Sequence, residues 1–135
     1  LRALTLRQPW AWAITHAGKR IENRTWPTPY RGTILIHAGS KAFDDLAAVE
    51  ANVGRLSDRL RAEAMAQRSS IVAIAELVDV IHVREFGDDL PPWAAGPYCW
   101  MLRNVRRIEP IKTSGRQGLW TPPDHVRRRI SALVG

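Results

Sequence analysis

Ala17-Gly18-Lys19-Arg20-Ile21-Glu22-Asn23-Arg24-Thr25-Trp26 is the stretch on which the reading of this chain turns. It sets Lys19, Glu22 and Arg24 between a short helix and a strand. Arg7-Gln8-Pro9-Trp10 lies before it, and Trp26-Pro27 closes it. In a strand of period two, Glu22, Arg24 and Trp26 share one face, and Ile21, Asn23 and Thr25 the other. A lysine, a carboxylate and an arginine beside an indole suit a site for an anion and a flat ring. An exposed strand carrying an ion pair worth about 0–1 kcal/mol is the plainer alternative.

Upstream, Leu4 to Leu6 reads as a short first strand. Pro9 sits well in the first turn of a helix, where its missing N–H costs nothing. Trp10, Ala13, Ile14 and Ala17 give that helix an apolar stripe, and Gly18 is a natural stop. Lys19 thus emerges where a helix ends and a strand begins. Downstream, Thr33 to His37 is a strand bounded by Gly32 and Gly39. Leu46, Val49, Val53, Leu56 and Leu60 recur at helical spacing, so 42–67 reads as helix, with a break possible at Asn52 and Gly54.

Ile71 to Val83 is the strongest strand. Strict alternation puts Val72, Ile74, Glu76, Val78 and Val80 on one face and Ile71, Ala73, Ala75, Leu77, Asp79 and Ile81 on the other. Glu76 interrupts an apolar row, so it is expected to be paired or to line a pocket. After a proline-rich loop, Tyr98 to Ile108 forms a further strand, continued by Pro110 to Lys112. A last helix opens after Thr121, with Val126, Ile130, Leu133 and Val134 as its buried side. Cys99, the only cysteine, reads as a small core side chain.

The 135 residues fit one domain with a modest core, and 45% hydrophobic residues exclude a disordered chain. No apolar run approaches the roughly 20 residues of a membrane span, and the single cysteine excludes a disulfide within the chain. A cytoplasmic protein without membrane contact is expected. The net charge is +7, and its distribution is uneven. Residues 1–41 and 103–135 are strongly basic, while 42–102 carry ten carboxylates against five arginines. If the two basic ends meet, they form one positive face, the footprint of a polyanion binder. The four histidines are scattered and no metal-ligand spacing, P-loop or dinucleotide fingerprint occurs, so no metal or cofactor is expected. Of six tryptophans, Trp12 and Trp100 read as core, whereas Trp10, Trp26 and Trp120 lie beside polar segments and are candidates for stacking on bases.

Lys19, Glu22 and Arg24 also match the G-x-K-x-x-E-x-R signature of the ASCH domain, a relative of the PUA RNA-binding domain. Ala17 replaces the first glycine of that signature. Leu6 to Trp10, Tyr30-Arg31-Gly32, Ile34 to Ala38, Ala75 to Asp79, Gly96 to Trp100 and Gly118-Leu119-Trp120 are similar to a bacterial, single-domain branch of the same family. The resemblance implies an α+β fold: one PUA-like small mixed β-barrel over 1–135, of about five to seven strands with two or three flanking helices. It implies a basic, aromatic-lined cleft that binds RNA, a nucleotide or a nucleoside through Gln8, Trp10, Lys19, Arg24, Trp26 and Trp120; single-stranded DNA is a further candidate. Some relatives hydrolyse N4-acylated cytidine, and ribonuclease activity has been proposed in the family. Were this chain an enzyme, Lys19, Glu22 and Glu76 would be its catalytic candidates. Glu22 stands where the amidohydrolase branch has a threonine, which removes that branch's hydroxyl. A protein-interaction module that uses the basic face is the remaining alternative.

Overall fold

The computed structural model describes residues 1–134. Six strands, β1 (Arg2–Gln8), β2 (Ile21–Arg24), β3 (Gly32–Ala42), β4 (Ser70–His82), β5 (Tyr98–Lys112) and β6 (Leu119–Trp120), make one sheet in the order β2-β5-β4-β3-β1-β6. β1 and β3 are parallel and every other pair is antiparallel. The sheet curls into a half-barrel. The curl brings its first strand to its fifth: Arg24 Nη2 on β2 donates to the Thr5 carbonyl on β1 at 2.8 Å. The two basic ends of the chain do meet, because Ala3 pairs with Trp120 and Leu4 with Leu119.

Both faces of the sheet are covered, which is why its strands read as nearly continuous apolar runs. On one face, Leu4, Leu6, Ile34, Ile36 and Trp100 pack with Ala11 and Ile14 of α1 (Trp10–His16). On the other, Ala3, Leu35, Ile71, Ile74 and Ile111 pack with Val126 and Ile130 of α4 (Asp124–Val134). A third cluster joins the outer side of α1, including Trp12, to α2 (Leu46–Val53) and α3 (Asp58–Ala66). None of these helices is long and apolar enough to cross a membrane.

The structure adjusts several sequence expectations. The helix expected over 42–67 is two helices, broken at Gly54, whose φ of +88° a residue with a Cβ adopts only under strain. Val53, placed on its buried stripe, is exposed. Strict alternation fails in β4, because the pairing register slips between Ile71 and Ala73 and again between Ile74 and Glu76. Such a slip re-aims the following side chains. Val72 and Ile74, expected on one face, therefore join opposite cores. On α4 only Val126 and Ile130 are buried; Leu133 is 42% and Val134 61% exposed.

This difference is measurable. Ile130→Ala is expected to cost about 2–5 kcal/mol of unfolding free energy, as core truncations do. Leu133→Ala is expected to cost less than about 1 kcal/mol. Urea denaturation of the two variants checks both.

Candidate functional site

Gly18 makes the site possible. With φ of +75° it reverses the chain at the end of α1, and the Lys19 amide then donates back to the Ala13 carbonyl. The reversal turns the Lys19 side chain inward, where only 1% of the residue remains exposed. Its ammonium donates to Glu22 Oε1 at 2.7 Å and to the Ile21 carbonyl. It also lies 5.5 Å from the centre of the Trp10 ring. Arg24 approaches the other carboxylate oxygen, Nε to Oε2, at 3.3 Å. Glu22 therefore stands between two cations, and it and Arg24 face an open cleft of about 960 Å³.

Four segments bring cations to this cleft: Arg7 from β1, Arg24 from β2, Lys41 from β3 and Arg116 from the loop between β5 and β6. Glu22 and Asp45 are the carboxylates among its lining residues. Asp45, at the start of α2, accepts from Trp10 Nε1 at 3.2 Å, so one acid of the middle segment does reach the basic face. The walls are aromatic. Trp10 and Trp26 line the cleft, and Trp26 rests edge-on against the buried Trp100 at 4.7 Å between ring centres. At the rim, the Arg7 guanidinium lies 4.0 Å over the ring of Phe43, a half-exposed residue.

Beneath one side of the cleft runs a fully bonded series. Trp120 Nε1 donates to Thr5 Oγ1 at 3.1 Å, and Thr5 Oγ1 lies 3.1 Å from His37 Nδ1. His37 Nε2 lies 2.7 Å from the Thr113 carbonyl. A carbonyl only accepts, so Nε2 carries the proton and Nδ1 accepts from the threonine hydroxyl. Burial pushes the His37 pKa below its ordinary value near 6.5, opposed in part by the bond to Thr113. The neighbouring loop touches this pair so closely at Gly115 that a Cβ there would fall 2.5 Å from Thr5 Oγ1 and 2.6 Å from His37 Cε1.

The sequence-derived site residues separate here. Trp10, Glu22, Arg24 and Trp26 line the cleft. Lys19 lies behind them, holding Glu22 rather than lining the space. Gln8 is buried with both ends engaged: Oε1 accepts from the Trp12 amide and Nε2 donates to the Gln67 carbonyl, each at 2.9 Å. Its polar atoms position α1 against the end of α3. Trp120 is buried in the core under α4, so it offers no open ring face. Glu76 is paired, as its place in an apolar row required: Arg103 donates at 3.2 Å and Asn104 at 2.9 Å, and these bonds hold its pKa below the usual carboxylate value, with Asn104 the larger cause. It is not among the residues lining the cleft. Cys99 is buried, and burial raises its thiol pKa.

Other contributors escaped sequence reasoning. Arg7, Lys41 and Arg116 become one group only through the strand order. A signal for Arg116 did exist, in the Ser114-Gly115-Arg116-Gln117-Gly118 turn between two strands. Asn23 holds the proline-rich loop: its amide donates to the Trp93 carbonyl and its oxygen accepts from Ala95 and Gly96. Among the described residues, no three His, Cys, Asp or Glu side chains gather as a metal site.

Comparison with known proteins gives a consistent picture. The family model described as the ASCH domain matches residues 4–112. Activating signal cointegrator 1 from Homo sapiens is 24% identical across 87% of this chain; the match spans 21% of that protein, about a fifth of its length. The crystal structure of ASCH from Zymomonas mobilis superposes with a TM-score of 0.57 at 15% identity, covering 98% of this chain and 94% of that one. Two point mutants of it superpose at 0.56 and 0.58, also at 15% identity. At that identity the likeness concerns the fold.

Three outcomes follow from the geometry. Glu22→Gln removes the charged partner of a buried ammonium and is expected to cost about 3–5 kcal/mol in denaturant unfolding. Gly115→Ala forces a methyl group onto Thr5 and His37 and is expected to lower stability by about 1–3 kcal/mol, read as a lower Tm. His37 should titrate below 6.5 by NMR. Because its folded pKa is lowered, the neutral ring belongs to the fold, and its contribution to stability is present above pH 6.5 and lost as pH falls below it. His16, whose pKa burial also lowers, adds to the same trend.

Proposed function

This chain belongs to the ASCH domain family, and from that premise we propose that it is an RNA-binding module whose cleft takes an unstacked nucleotide. Four cations, delivered by four separate segments, surround a space walled by Trp10 and Trp26, and this observation carries the reading. Arg7, Lys41 and Arg116 supply charge for phosphates, and counterions released on contact favour association. Indole faces accept any base, because every base has a π-face. The Arg7–Phe43 stack offers a further flat surface at the rim. Ligand pockets span roughly 300–1,000 Å³, so a cleft of about 960 Å³ has room for a nucleotide and part of its neighbour.

Glu22 has a distinct part in this reading. A lone carboxylate would repel phosphate, but Lys19 and Arg24 flank it and leave the cleft net positive. What it retains is its capacity as an acceptor. Acceptor oxygens recognise the amino and imino N–H groups on base edges. The cations hold the backbone, the indoles hold the ring, and Glu22 reads N–H groups. An unstacked base, modified or not, presents those groups in a way a paired base does not.

Titration of a fluorescent single-stranded RNA tests the proposal. Arg7→Gln with Arg116→Gln should weaken binding and reduce the slope of log K against log salt by about 1.4, at about 0.7 per phosphate contact. Arg55→Gln with Arg59→Gln removes the same charge from the α2–α3 region and should leave binding nearly unchanged. Trp26→Leu should cost about 1–3 kcal/mol of binding. Equal effects from both double variants would remove the localised site.

A further inference from the structure

Outside the cleft, basic side chains gather along α4 and the part of β5 beside it, where Glu109 and Asp124 are the acids. Two bonds fix this arrangement. His125 Nε2 near the start of α4 lies 3.2 Å from the Lys112 carbonyl, and Arg106 Nη1 donates to the Leu133 carbonyl near its end at 3.2 Å. The helix thus runs back along β5 from Lys112 toward Arg106. Val126 and Ile130 face the sheet. At about 100° per residue, Arg128 then points away from the sheet, and Arg127 and Arg129 fan to either side. All three are exposed. Arg127 has Asp124 at 3.9 Å. Among the described residues, Arg106, Lys112, Arg128 and Arg129 have no carboxylate within 4.0 Å, whereas Arg107 points to the α1 side of the sheet, beside His16.

The geometry points to a second RNA contact here, a face that holds phosphates of the same strand whose nucleotide enters the cleft. This inference rests on the cleft reading and extends it. Continuity supports it: Arg116 lines the cleft, and its loop starts directly after Lys112, where α4 begins. Composition supports it as well. Neither 103–112 nor 124–134 contains Trp, Tyr or Phe, so this face has no platform for bases. Guanidinium groups on a convex helix, about 16 Å long for its 11 residues, suit a phosphate backbone and carry no base readout. The cleft therefore selects, and α4 adds affinity that grows with strand length and is indifferent to sequence.

The test uses the full chain with Arg128→Gln and Arg129→Gln, and two single-stranded RNA probes of the same composition, three and fifteen nucleotides long. For the fifteen-nucleotide probe the Kd should rise several-fold at low salt, and its salt slope should fall by about 1.4, two phosphates at about 0.7 each. The three-nucleotide probe should bind as tightly as before. Arg7→Gln with Arg116→Gln should weaken both probes. Unchanged affinity for the long probe, an equal loss on the short one, or an equal loss from Arg55→Gln with Arg59→Gln would overturn the proposal. So would polyglutamate that competes as well as RNA, the result expected of a face for acidic proteins. Long-probe binding lost with Arg128→Gln and Arg129→Gln but insensitive to Arg7→Gln and Arg116→Gln would sustain the α4 face and remove the cleft. A chain without salt-sensitive affinity for the long probe would end both readings.

Discussion

A buried ammonium must be answered by oxygens, and the architecture of the cleft follows from how Lys19 is answered. Taking such an ion out of water costs several kcal/mol, offset only if its protons are well bonded. Glu22 and the Ile21 carbonyl do this, which fixes the turn between α1 and β2. Glu22 then draws in Arg24, and Arg24 reaches the Thr5 carbonyl on β1. Thr5 in turn contacts His37, and His37 the Thr113 carbonyl. A single series of polar contacts thus links the end of one helix to a loop near the far end of the chain. Arg24 Nε is the one buried polar atom of this series without a hydrogen bond, held instead by the nearby Glu22 carboxylate; contacts in such a network support one another, so the parts of the cleft floor are expected to form together.

That linkage explains which parts of the site were legible in the sequence. The helix, the stop at Gly18 and the strand through Arg24 are local, and periodicity and glycine placement encode them. The same signals marked the apolar strands and the covering helices. Whether a polar side chain is free or already engaged is not local. Gln8 and Trp120 have the right chemistry for recognition, yet α1, the residue capping α3 and β1 use their polar atoms. The Lys19 side chain is likewise engaged, by Glu22 and the Ile21 carbonyl. Glu76 was read correctly as needing a partner, but its partners are Arg103 and Asn104, contributed by β5.

Strand faces were misread for a different reason. Alternation assumes an unbroken ladder, and β4 slips register against both neighbours. Bulges leave little trace in a run such as Ile71-Val72-Ala73-Ile74, where every residue is apolar and either face would accept it. Leu133 and Val134 were assigned to a buried side by helical spacing alone. The sheet beneath α4 covers Val126 and Ile130 and leaves those last two exposed. The cations of the cleft show the same limit: Arg7, Lys41 and Arg116 converge because β1 lies between β3 and β6.

The position of β1 has a consequence for how the chain reaches its fold. β1 is an interior strand, yet one neighbour, β6, is supplied from far along the chain: Thr5 and Trp120, which share a hydrogen bond, are 115 residues apart. Its other neighbour, β3, pairs with it in parallel and only after α1 and β2 have intervened. Closing such separations costs chain entropy before the contacts compensate, and folds dominated by distant pairings assemble slowly. During synthesis β1 emerges before β3 and β6, and it keeps an unpaired edge until Leu119 and Trp120 arrive. An apolar strand with an open edge invites pairing with other chains. Arg2 and Arg7, exposed at either end of β1, place like charges on that edge during the interval and disfavour its association with another copy of itself.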